Sequence, residues 1–126
     1  MRILLLGANG QVGFELHRSL APLGELVAAT RDGTLAGDGP AERADLADAV
    51  SLHALVARVA PAWVVNAAAY TAVDAAEDDA ATAQLINGDA LGAIGAAARA
   101  VGATVLHFST DYVFAGDAQV PYREDD

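Results

Sequence analysis

Three glycines stand three residues apart near the start of the chain, at Gly7, Gly10 and Gly13. They follow an apolar run from Ile3 to Leu6, which is typical of a strand buried on both faces of a parallel sheet. A segment of helical periodicity begins after them, at Gln11. A helix N-terminus in this place offers free N–H groups and a positive dipole end to an anion. We therefore predict a turn that binds the pyrophosphate of a dinucleotide, against the alternative of a glycine-rich connection without a ligand.

Each glycine of this turn has its own expected role. Gly7 permits the tight turn out of the strand, and Gly10 removes a side chain where the pyrophosphate approaches the backbone. Gly13 lets the helix pack closely on the strand. The spacing differs from the one-then-two spacing of the commonest dinucleotide fingerprint, but the physical requirements are the same.

The residues that end the second predicted strand are expected to select the cofactor. An acidic residue there would accept a hydrogen bond from the ribose 2′-hydroxyl of NAD. This chain has Thr30 and Arg31 instead, and a hydroxyl beside a guanidinium suits a 2′-phosphate. We therefore expect NADP(H) to be preferred and NAD(H) to be possible. The alternative is that Arg31 is an ordinary exposed arginine in a loop.

Two further segments leave predicted strands at the same edge of the sheet. The first begins at Asn66 and continues through Ala67, Ala68 and Ala69, whose small side chains let a flat ligand lie against the backbone. The second runs from Ser109 to Phe114 and carries hydroxyl groups and a carboxylate. Open α/β sheets bind ligands at the carboxyl ends of their strands, so this edge is the expected site.

The composition excludes several classes of protein. The chain has 126 residues and a formal net charge of −10, from 17 acidic and 7 basic residues, and all of the basic residues are arginine. Without cysteine there are no disulfides and no thiolate sites, and the acidic balance disfavours binding to nucleic acid or to an anionic membrane. The apolar runs are too short to span a bilayer, and no signal-peptide core is apparent, so a cytoplasmic location is expected.

The order of predicted elements indicates an α/β fold of the Rossmann type. We predict strands at residues 3–6, 26–30, 45–46, 63–66 and 104–108, with helices at 11–23, 52–60 and 74–102. This alternation predicts a doubly wound parallel sheet, with strand order 3-2-1-4-5. We expect residues 1–126 to form the N-terminal portion of an NAD(P)-binding domain.

Taken together, five stretches resemble one family, the dTDP-4-dehydrorhamnose reductases of the extended short-chain dehydrogenase/reductases. The matching stretches are GANGQVGFE (Gly7 to Glu15), APLG (Ala21 to Gly24), VNAAAYTAVD (Val65 to Asp74), QLIN (Gln84 to Asn87) and HFSTDYVF (His107 to Phe114). The resemblance extends over the whole chain, and this combination is far more specific than the glycine turn alone.

The resemblance implies roles at the matching positions. The pyrophosphate turn comprises Gly10, Gln11, Val12 and Gly13, the adenine lies beside Asp45 and Leu46, and the nicotinamide ribose lies along Ala69, Tyr70 and Thr71. Thr110 resembles the residue that donates a hydrogen bond to the reacting oxygen, and Thr110 with Asp111 resembles the contact to a sugar nucleotide. Members of the family more often have an acidic residue in place of Thr30 and histidine in place of Tyr70.

The implied reaction is hydride transfer from NAD(P)H to the C4 carbonyl of dTDP-4-dehydro-L-rhamnose. In the family, a tyrosine of a Tyr-x-x-x-Lys pair on the next helix supplies the proton. This chain has no lysine, so none of its tyrosines belongs to such a pair. We also expect the family's C-terminal substrate domain to be absent from residues 1–126, and we expect the 126-residue chain to be inactive alone.

The resemblance also implies partners, and it leaves alternatives open. The expected partners are a sugar nucleotide and a second copy of the protein, in a homodimer. Relatives that use Mg²⁺ exist, but nothing in this chain assigns metal ligands. One alternative is a non-catalytic NADP-binding regulatory subunit of the same fold. Another is a different sugar-nucleotide reductase or epimerase of the extended family.

The remaining polar residues have ordinary structural explanations. The three histidines are scattered along the chain and do not indicate a metal site. His107 is expected to be a hydrogen-bonded residue of a buried strand. The acids from Asp74 to Asp79 are expected to begin a helix, because negative charge stabilises a helix N-terminus. Asn87 is expected to make a structural hydrogen bond or to take part in a proton relay.

Overall fold

The computed structural model describes residues 1–37, 39–110 and 113–125 of the chain. Its strands and helices, in chain order, are β1 (Arg2–Leu6), α1 (Gln11–Leu20), β2 (Glu25–Thr30), β3 (Glu42–Arg43), α2 (Ala49–Val59), β4 (Trp63–Asn66), α3 (Val73–Asp78), α4 (Ala80–Gln84), α5 (Ala90–Val101) and β5 (Thr104–His107). A 3₁₀ turn, Ala21–Leu23, follows α1, and a π-helical turn, Leu85–Asp89, joins α4 to α5.

The five strands form one parallel sheet in the order β3-β2-β1-β4-β5. The predicted fold class and strand order are therefore confirmed. The central strand β1 pairs with β2 on one side and β4 on the other, so that Leu4 lies between Val27 and Val64. Because all strands run in the same direction, their carboxyl ends meet at one edge of the sheet.

Helices cover both faces of the sheet, which explains the continuous apolar run of β1. Leu4 and Leu6 face a core that includes residues of α2 and α5, among them Val56 and Ile94. On the other face, Leu5 and its neighbours pack against the apolar side chains of α1. Both faces of β1 are thus buried, and the strand lies at the centre of the molecule.

The first helix is shorter than predicted. It ends at Leu20, and the three residues up to Leu23 form a 3₁₀ turn that contains Pro22. Leu16 and Leu20 pack on the sheet, whereas Val12 is 45% exposed and Leu23 is 58% exposed. Proline accounts for the early end, because it cannot donate the backbone hydrogen bond that continues an α-helix.

The third strand lies three residues earlier than predicted, at Glu42–Arg43. Glu42 and Arg43 pair with the end of β2, and Asp45 begins a turn in which its side chain accepts a hydrogen bond from the backbone of Ala47. An ion pair fixes this short strand to α2, since both carboxylate oxygens of Glu42 accept hydrogen bonds from the Arg58 guanidinium, at 2.9 and 2.7 Å. That pairing lowers the pKa of the Glu42 carboxyl below its usual value.

The predicted long helix is divided into several pieces. Asp79 ends the first piece and begins the next, because its carboxylate accepts a hydrogen bond from the backbone of Thr82. The π-helical turn at Leu85–Asp89 then leads into α5, which ends at Gly102 in the left-handed conformation. Ile94 and Ala98 of α5 are fully buried in the core.

The last strand is less buried than predicted. It ends at His107, and Leu106 and Phe108 are 41% and 43% exposed. His107 is half-buried, and its Nδ1 atom lies 3.1 Å from the amide nitrogen of Asn66. Within the part of the chain that the structure describes, no helix is long and apolar enough to cross a membrane.

The N-terminal cap of α2 leads to a prediction about pH and stability. The Asp48 carboxylate accepts a hydrogen bond of 3.0 Å from the backbone of Ser51, and this bond lowers the pKa of Asp48 below its usual 3.8. A carboxyl whose pKa falls on folding contributes stability above its unfolded pKa and loses it as the pH falls through the folded value. We expect Asp48→Ala to lower the melting temperature at pH 7, and the difference from the parent protein to shrink below about pH 3.8.

Asp48→Asn is the matched control, because asparagine also caps helices but does not titrate. It should keep most of the stability at pH 7 and should remove this pH-dependent contribution. Melting curves between pH 3 and 7 would test both variants. An equal loss for Asp48→Ala at pH 3 and pH 7 would contradict the proposed role of the charge.

Candidate functional site

A cavity of about 930 Å³ opens at the carboxyl edge of the sheet. This volume lies within the range of small-molecule and cofactor sites. Its lining comes from the turn after β1, from the ends of β2 and β3, from the segment after β4 and from the π-helical turn. The lining residues are Gly7, Asn9, Gly10, Gln11, Val12, Thr30, Arg31, Asp32, Ala44, Asp45, Leu46, Ala67, Ala68, Ala69, Tyr70, Thr71 and Ile86.

The predicted cofactor residues come together at this cavity, with one exception. Gly13 is buried behind the turn and does not line it. Four lining residues were not predicted, namely Asn9, Asp32, Ala44 and Ile86. Asn9 could have been predicted because it is a polar residue within the glycine turn. Asp32 could have been predicted because it is an acidic residue two positions after a strand end.

The glycines at 7 and 13 are required by the geometry of the turn itself. Gly7 has φ +78°, and a Cβ atom on it would lie 2.6 Å from the backbone nitrogen of Ala68. A Cβ atom on Gly13 would overlap the carbonyl oxygen of Gly7. At Gly10 the nearest atom, the Gly7 oxygen, would be 3.4 Å away, so protein packing does not exclude a side chain there. What makes glycine suitable at position 10 is its place on the open cavity.

The N-terminus of α1 is arranged to receive an anion. Gly10 is the N-cap residue, and as a glycine it has no side chain that could accept a hydrogen bond from the first turn of the helix. The first amide groups of a helix lack acceptors within the helix, and they carry the positive end of its dipole. Because Gly10, Gln11 and Val12 line the cavity, these donors fit the pyrophosphate of a dinucleotide.

The end of β2 is held by a small network. Thr30 is 3% exposed, and its hydroxyl donates to Oδ1 of Asp32 at 3.0 Å while accepting from the backbone of Gly33 at 2.9 Å. The amide of Thr34 also donates to Oδ1 of Asp32, at 3.1 Å. These hydrogen bonds lower the pKa of Asp32 below its usual 3.8, and the bond from the Thr34 amide has the largest effect. The carboxylate is therefore charged at neutral pH. Arg31 is exposed at the same end of the cavity.

Asn9 connects the glycine turn to the loop after β2. Its amide nitrogen donates to the carbonyl oxygen of Thr34 at 2.7 Å, and its amide oxygen accepts from the backbone of Ala36 at 3.0 Å. One side chain therefore satisfies a donor and an acceptor of the neighbouring loop. This pair of bonds holds the loop beside the predicted pyrophosphate turn.

The segment after β4 is held at both ends by asparagine side chains. The buried Asn66 accepts from the backbone of Ala68 at 3.1 Å, which orients its amide nitrogen toward Nδ1 of His107. That nitrogen is a donor, so Nδ1 of His107 accepts and the ring proton is on Nε2. Asn87, in the π-helical turn, accepts from the Tyr70 amide at 2.8 Å and donates to the Tyr70 carbonyl at 3.1 Å. The hydrogen bonds of Asn87 are thus structural ones to a cavity-lining segment.

The predicted substrate residues lie beyond β5. Thr110 is exposed and does not line the cavity described above. Asp111 and Tyr112 lie outside the described residues. Among the residues that the structure does describe, no group of three histidine, aspartate or glutamate side chains could hold a metal ion.

Comparison with known proteins identifies the family. A family model described as the RmlD substrate binding domain matches residues 1–126. The chain belongs to this family. The chain is also 51% identical over 126 residues to the dTDP-4-dehydrorhamnose reductase of Burkholderia thailandensis. The resemblance seen in the sequence is therefore confirmed.

The RmlD-family relatives are longer than this chain. The Burkholderia match covers 100% of this chain but 39% of that protein, and the chain spans about 40% of the length of the curated relatives it matches. A solved dTDP-4-dehydrorhamnose reductase from Clostridium acetobutylicum is 34% identical, with a TM-score of 0.87 over 100% of this chain and 42% of that one. The Bacillus anthracis reductase, solved in complex with NADP, is 30% identical with a TM-score of 0.80 over 94% of this chain and 39% of that one.

The hydrogen bonds of Asn87 lead to a prediction about the segment along the cavity. Asn87→Ala removes both bonds to Tyr70, and each such bond contributes about 0.5–1.5 kcal/mol. We expect hydrogen exchange at the Tyr70 amide to become faster by roughly tenfold. Asp89→Ala, on the same helical turn, is the matched control and should leave this amide unchanged. Equal exchange at Tyr70 in the parent protein and in Asn87→Ala would contradict the role given to Asn87.

Proposed function

We propose that the protein containing this chain reduces dTDP-4-dehydro-L-rhamnose to dTDP-L-rhamnose, with NADP(H) preferred over NAD(H). The observation that carries the proposal is the cavity at the carboxyl edge of the sheet. It joins an uncapped helix N-terminus, the end of β2 and the small-residue segment after β4, in a chain of the RmlD family. The chain supplies the cofactor-binding portion, 1–126, of that protein.

The cofactor assignment is supported by the shape and polarity of the cavity. Gly10, Gln11 and Val12 offer amide donors for the pyrophosphate, and Asp45 with Leu46 forms the wall proposed for the adenine. Ala67, Ala68 and Ala69 leave room for a flat ring against the backbone, with Tyr70 and Thr71 beyond them. A dinucleotide bound in this way supplies the hydride for the carbonyl carbon. The preference for NADP(H) is assigned to Arg31, because the hydroxyl of Thr30 is committed to Asp32.

The substrate side of the reaction is assigned to the end of β5. A ketone accepts a hydride at carbon and a proton at oxygen, so the reaction needs a donor beside the oxygen. Thr110 is proposed as the hydroxyl that orients this oxygen, and Asp111 as a contact to the sugar nucleotide. The proton itself is assigned to a Tyr-x-x-x-Lys pair, which this lysine-free chain does not contain. We place the protein in the cytoplasm as a homodimer, and we assign no Mg²⁺ ligand in this chain.

The reaction is tested with the intact protein and with the chain of 126 residues, side by side. The intact protein should oxidise NADPH in the presence of dTDP-4-dehydrorhamnose, as measured by absorbance at the nicotinamide band. The 126-residue chain should bind NADPH but consume none. Turnover by the chain alone would contradict the need for the downstream pair. Turnover of a GDP- or UDP-sugar in place of the dTDP-sugar would contradict the substrate.

Arg31→Ala tests the basis of the cofactor preference. Removing one cation next to a 2′-phosphate should weaken NADPH binding roughly tenfold, since a hydrogen bond to a charged group contributes about 1.5–3 kcal/mol. NADH binding should change much less. Arg99→Ala, on α5 and outside the cavity, is the matched control. Equal affinities of the intact protein for both cofactors, or unchanged NADPH binding in Arg31→Ala, would remove this assignment.

A further inference from the structure

The side chains of Asn66 and His107 form a cross-strand pair at the carboxyl edge of the sheet. These residues end β4 and β5, and they are partners in the parallel register. The amide nitrogen of Asn66 lies 3.1 Å from Nδ1 of His107. The backbone amide of Phe108 also donates to the Asn66 carbonyl, at 3.3 Å. Asn66 therefore contacts the end of β5 through both its backbone and its side chain.

The pair stands where two segments of the proposed site begin. Residues 67–69 follow Asn66 directly and line the cavity. Thr110, three positions after His107, carries the hydroxyl that is proposed to orient the reacting oxygen. The pair thus connects the surface proposed for the cofactor with the strand that leads to the group proposed for the substrate.

The orientation of the Asn66 amide is fixed by the backbone. Its oxygen accepts from the amide of Ala68 at 3.1 Å, so its nitrogen, which is a donor, faces His107. Asn66 is 2% exposed, and a buried polar group that loses its partner carries a desolvation cost. Nδ1 of His107 must therefore be an acceptor, and only a neutral imidazole with its proton on Nε2 provides one there.

Protonation of His107 turns this acceptor into a donor. Two donors then face each other across 3.1 Å, and the hydrogen bond is lost. Turning the Asn66 amide over would restore a bond to His107, but it would take the acceptor away from the amide of Ala68. In either arrangement the buried amide loses one of its two hydrogen bonds.

The elements that pack against β5 offer no carboxylate to a charged imidazole among the described residues. β4 has no titratable side chain, and α5 has only Arg99, in its last turn. On the π-helical turn before α5, the carboxylate of Asp89 accepts a hydrogen bond from Gln84. Asp111, four positions after His107, lies outside the described residues. Protonation of His107 thus removes a bond that no described charge replaces.

We propose that His107 is a positioning residue of this site, which acts through Asn66 and only in its neutral form. The neutral imidazole holds the Asn66 amide, and the amide holds the backbone of Ala68 beside the cavity. The inference rests on the proposed cofactor function of the cavity. Histidine side chains gain a proton as the pH falls from about 8 to 5, so the cofactor should bind less tightly over this range.

His107→Asn in the intact protein is the principal test. The side-chain oxygen of asparagine replaces Nδ1 as an acceptor for Asn66, and it does not titrate. Dissociation constants for NADP⁺ would be measured by titration calorimetry between about pH 5.5 and 8. The parent protein and the variant should bind equally at the upper end. At the lower end the parent should bind roughly threefold to tenfold more weakly than the variant, as expected for the loss of one hydrogen bond.

His53→Asn is the matched control, because His53 is exposed on α2 and does not line the cavity. It removes a histidine without changing the pair, so its NADP⁺ affinity should follow that of the parent at every pH. Protonation of NADP⁺ itself is the same in all titrations and cancels from the comparison between proteins.

Asn66→Asp gives a second test with the opposite sign. A carboxylate accepts from Ala68 and from a protonated His107 at the same time, and its charge favours the protonated imidazole. The loss of affinity on acidification should therefore disappear in this variant. The nitrogen chemical shifts of the His107 ring give a readout that needs no ligand. They should show the Nε2–H tautomer in the parent at about pH 8 and a protonated ring in Asn66→Asp near pH 7.

The outcomes separate this inference from the proposed function. If the parent binds NADP⁺ but weakens in parallel with His107→Asn on acidification, the role of His107 is wrong while the cofactor site stands. If the parent binds no NADP⁺ at any pH, the proposed function is wrong and the inference falls with it. An Nδ1–H tautomer of His107 in the parent would overturn the inference without the use of any variant.

Discussion

No side chain fits between the carbonyl oxygen of Gly7 and the α-carbon of Gly13. This close approach sets the first turn of α1 directly against the end of β1, and Gly7 reaches it only with a positive φ angle. On its other side, Gly7 lies against the backbone of Ala68. The helix, the central strand and the segment after β4 therefore meet at one turn, and the cavity opens where they meet.

The cavity is consequently built from two kinds of structure. Backbone and small side chains at Gly10, Ala67 and Ala68 come directly from the ends of central strands or from the turn. Charged groups, in contrast, stand on the loops after β2 and β3, to one side of the central strand. Side-chain amides of Asn9 and Asn87 connect the two kinds of structure, because each pairs a donor and an acceptor with a loop backbone. The sheet thus positions the floor of the cavity, and side-chain hydrogen bonds position the loops around it.

The sequence was sufficient to predict the sheet, the strand order and most of the cavity lining. A continuous apolar run such as Ile3 to Leu6 indicates burial on both faces. Pro61 and Gly102 mark the ends of helices, for reasons of local backbone chemistry. The sequence did not indicate the hydrogen bonds of Asn9 or Asp32, and for Asn87 it predicted a structural hydrogen bond or a proton relay without indicating Tyr70 as the partner. Asn9 and Asn87 bond to residues 25, 27 and 17 positions away, so their partners depend on the completed fold. The position of β3 was wrong for a related reason, since its pairing depends on β2 and on the ion pair between Glu42 and Arg58.

Thr30 illustrates how burial changes the meaning of a residue type. From the sequence alone, Thr30 is a residue at a strand end whose hydroxyl suits a phosphate. The resemblance to the reductase family also implies cofactor recognition at that position. In the structure it is 3% exposed, and its hydroxyl both donates and accepts within the chain. If the Thr30 hydroxyl turned toward a ligand, the amide of Gly33 and the carboxylate of Asp32 would each lose a hydrogen bond. One new contact to the ligand would barely offset that cost. The exposed charged groups at this end of the cavity are therefore those of the next two residues, Arg31 and Asp32. The Asp32 carboxylate accepts hydrogen bonds from the Thr30 hydroxyl and from the Thr34 amide, so its position depends on the buried end of β2 as well as on its own loop.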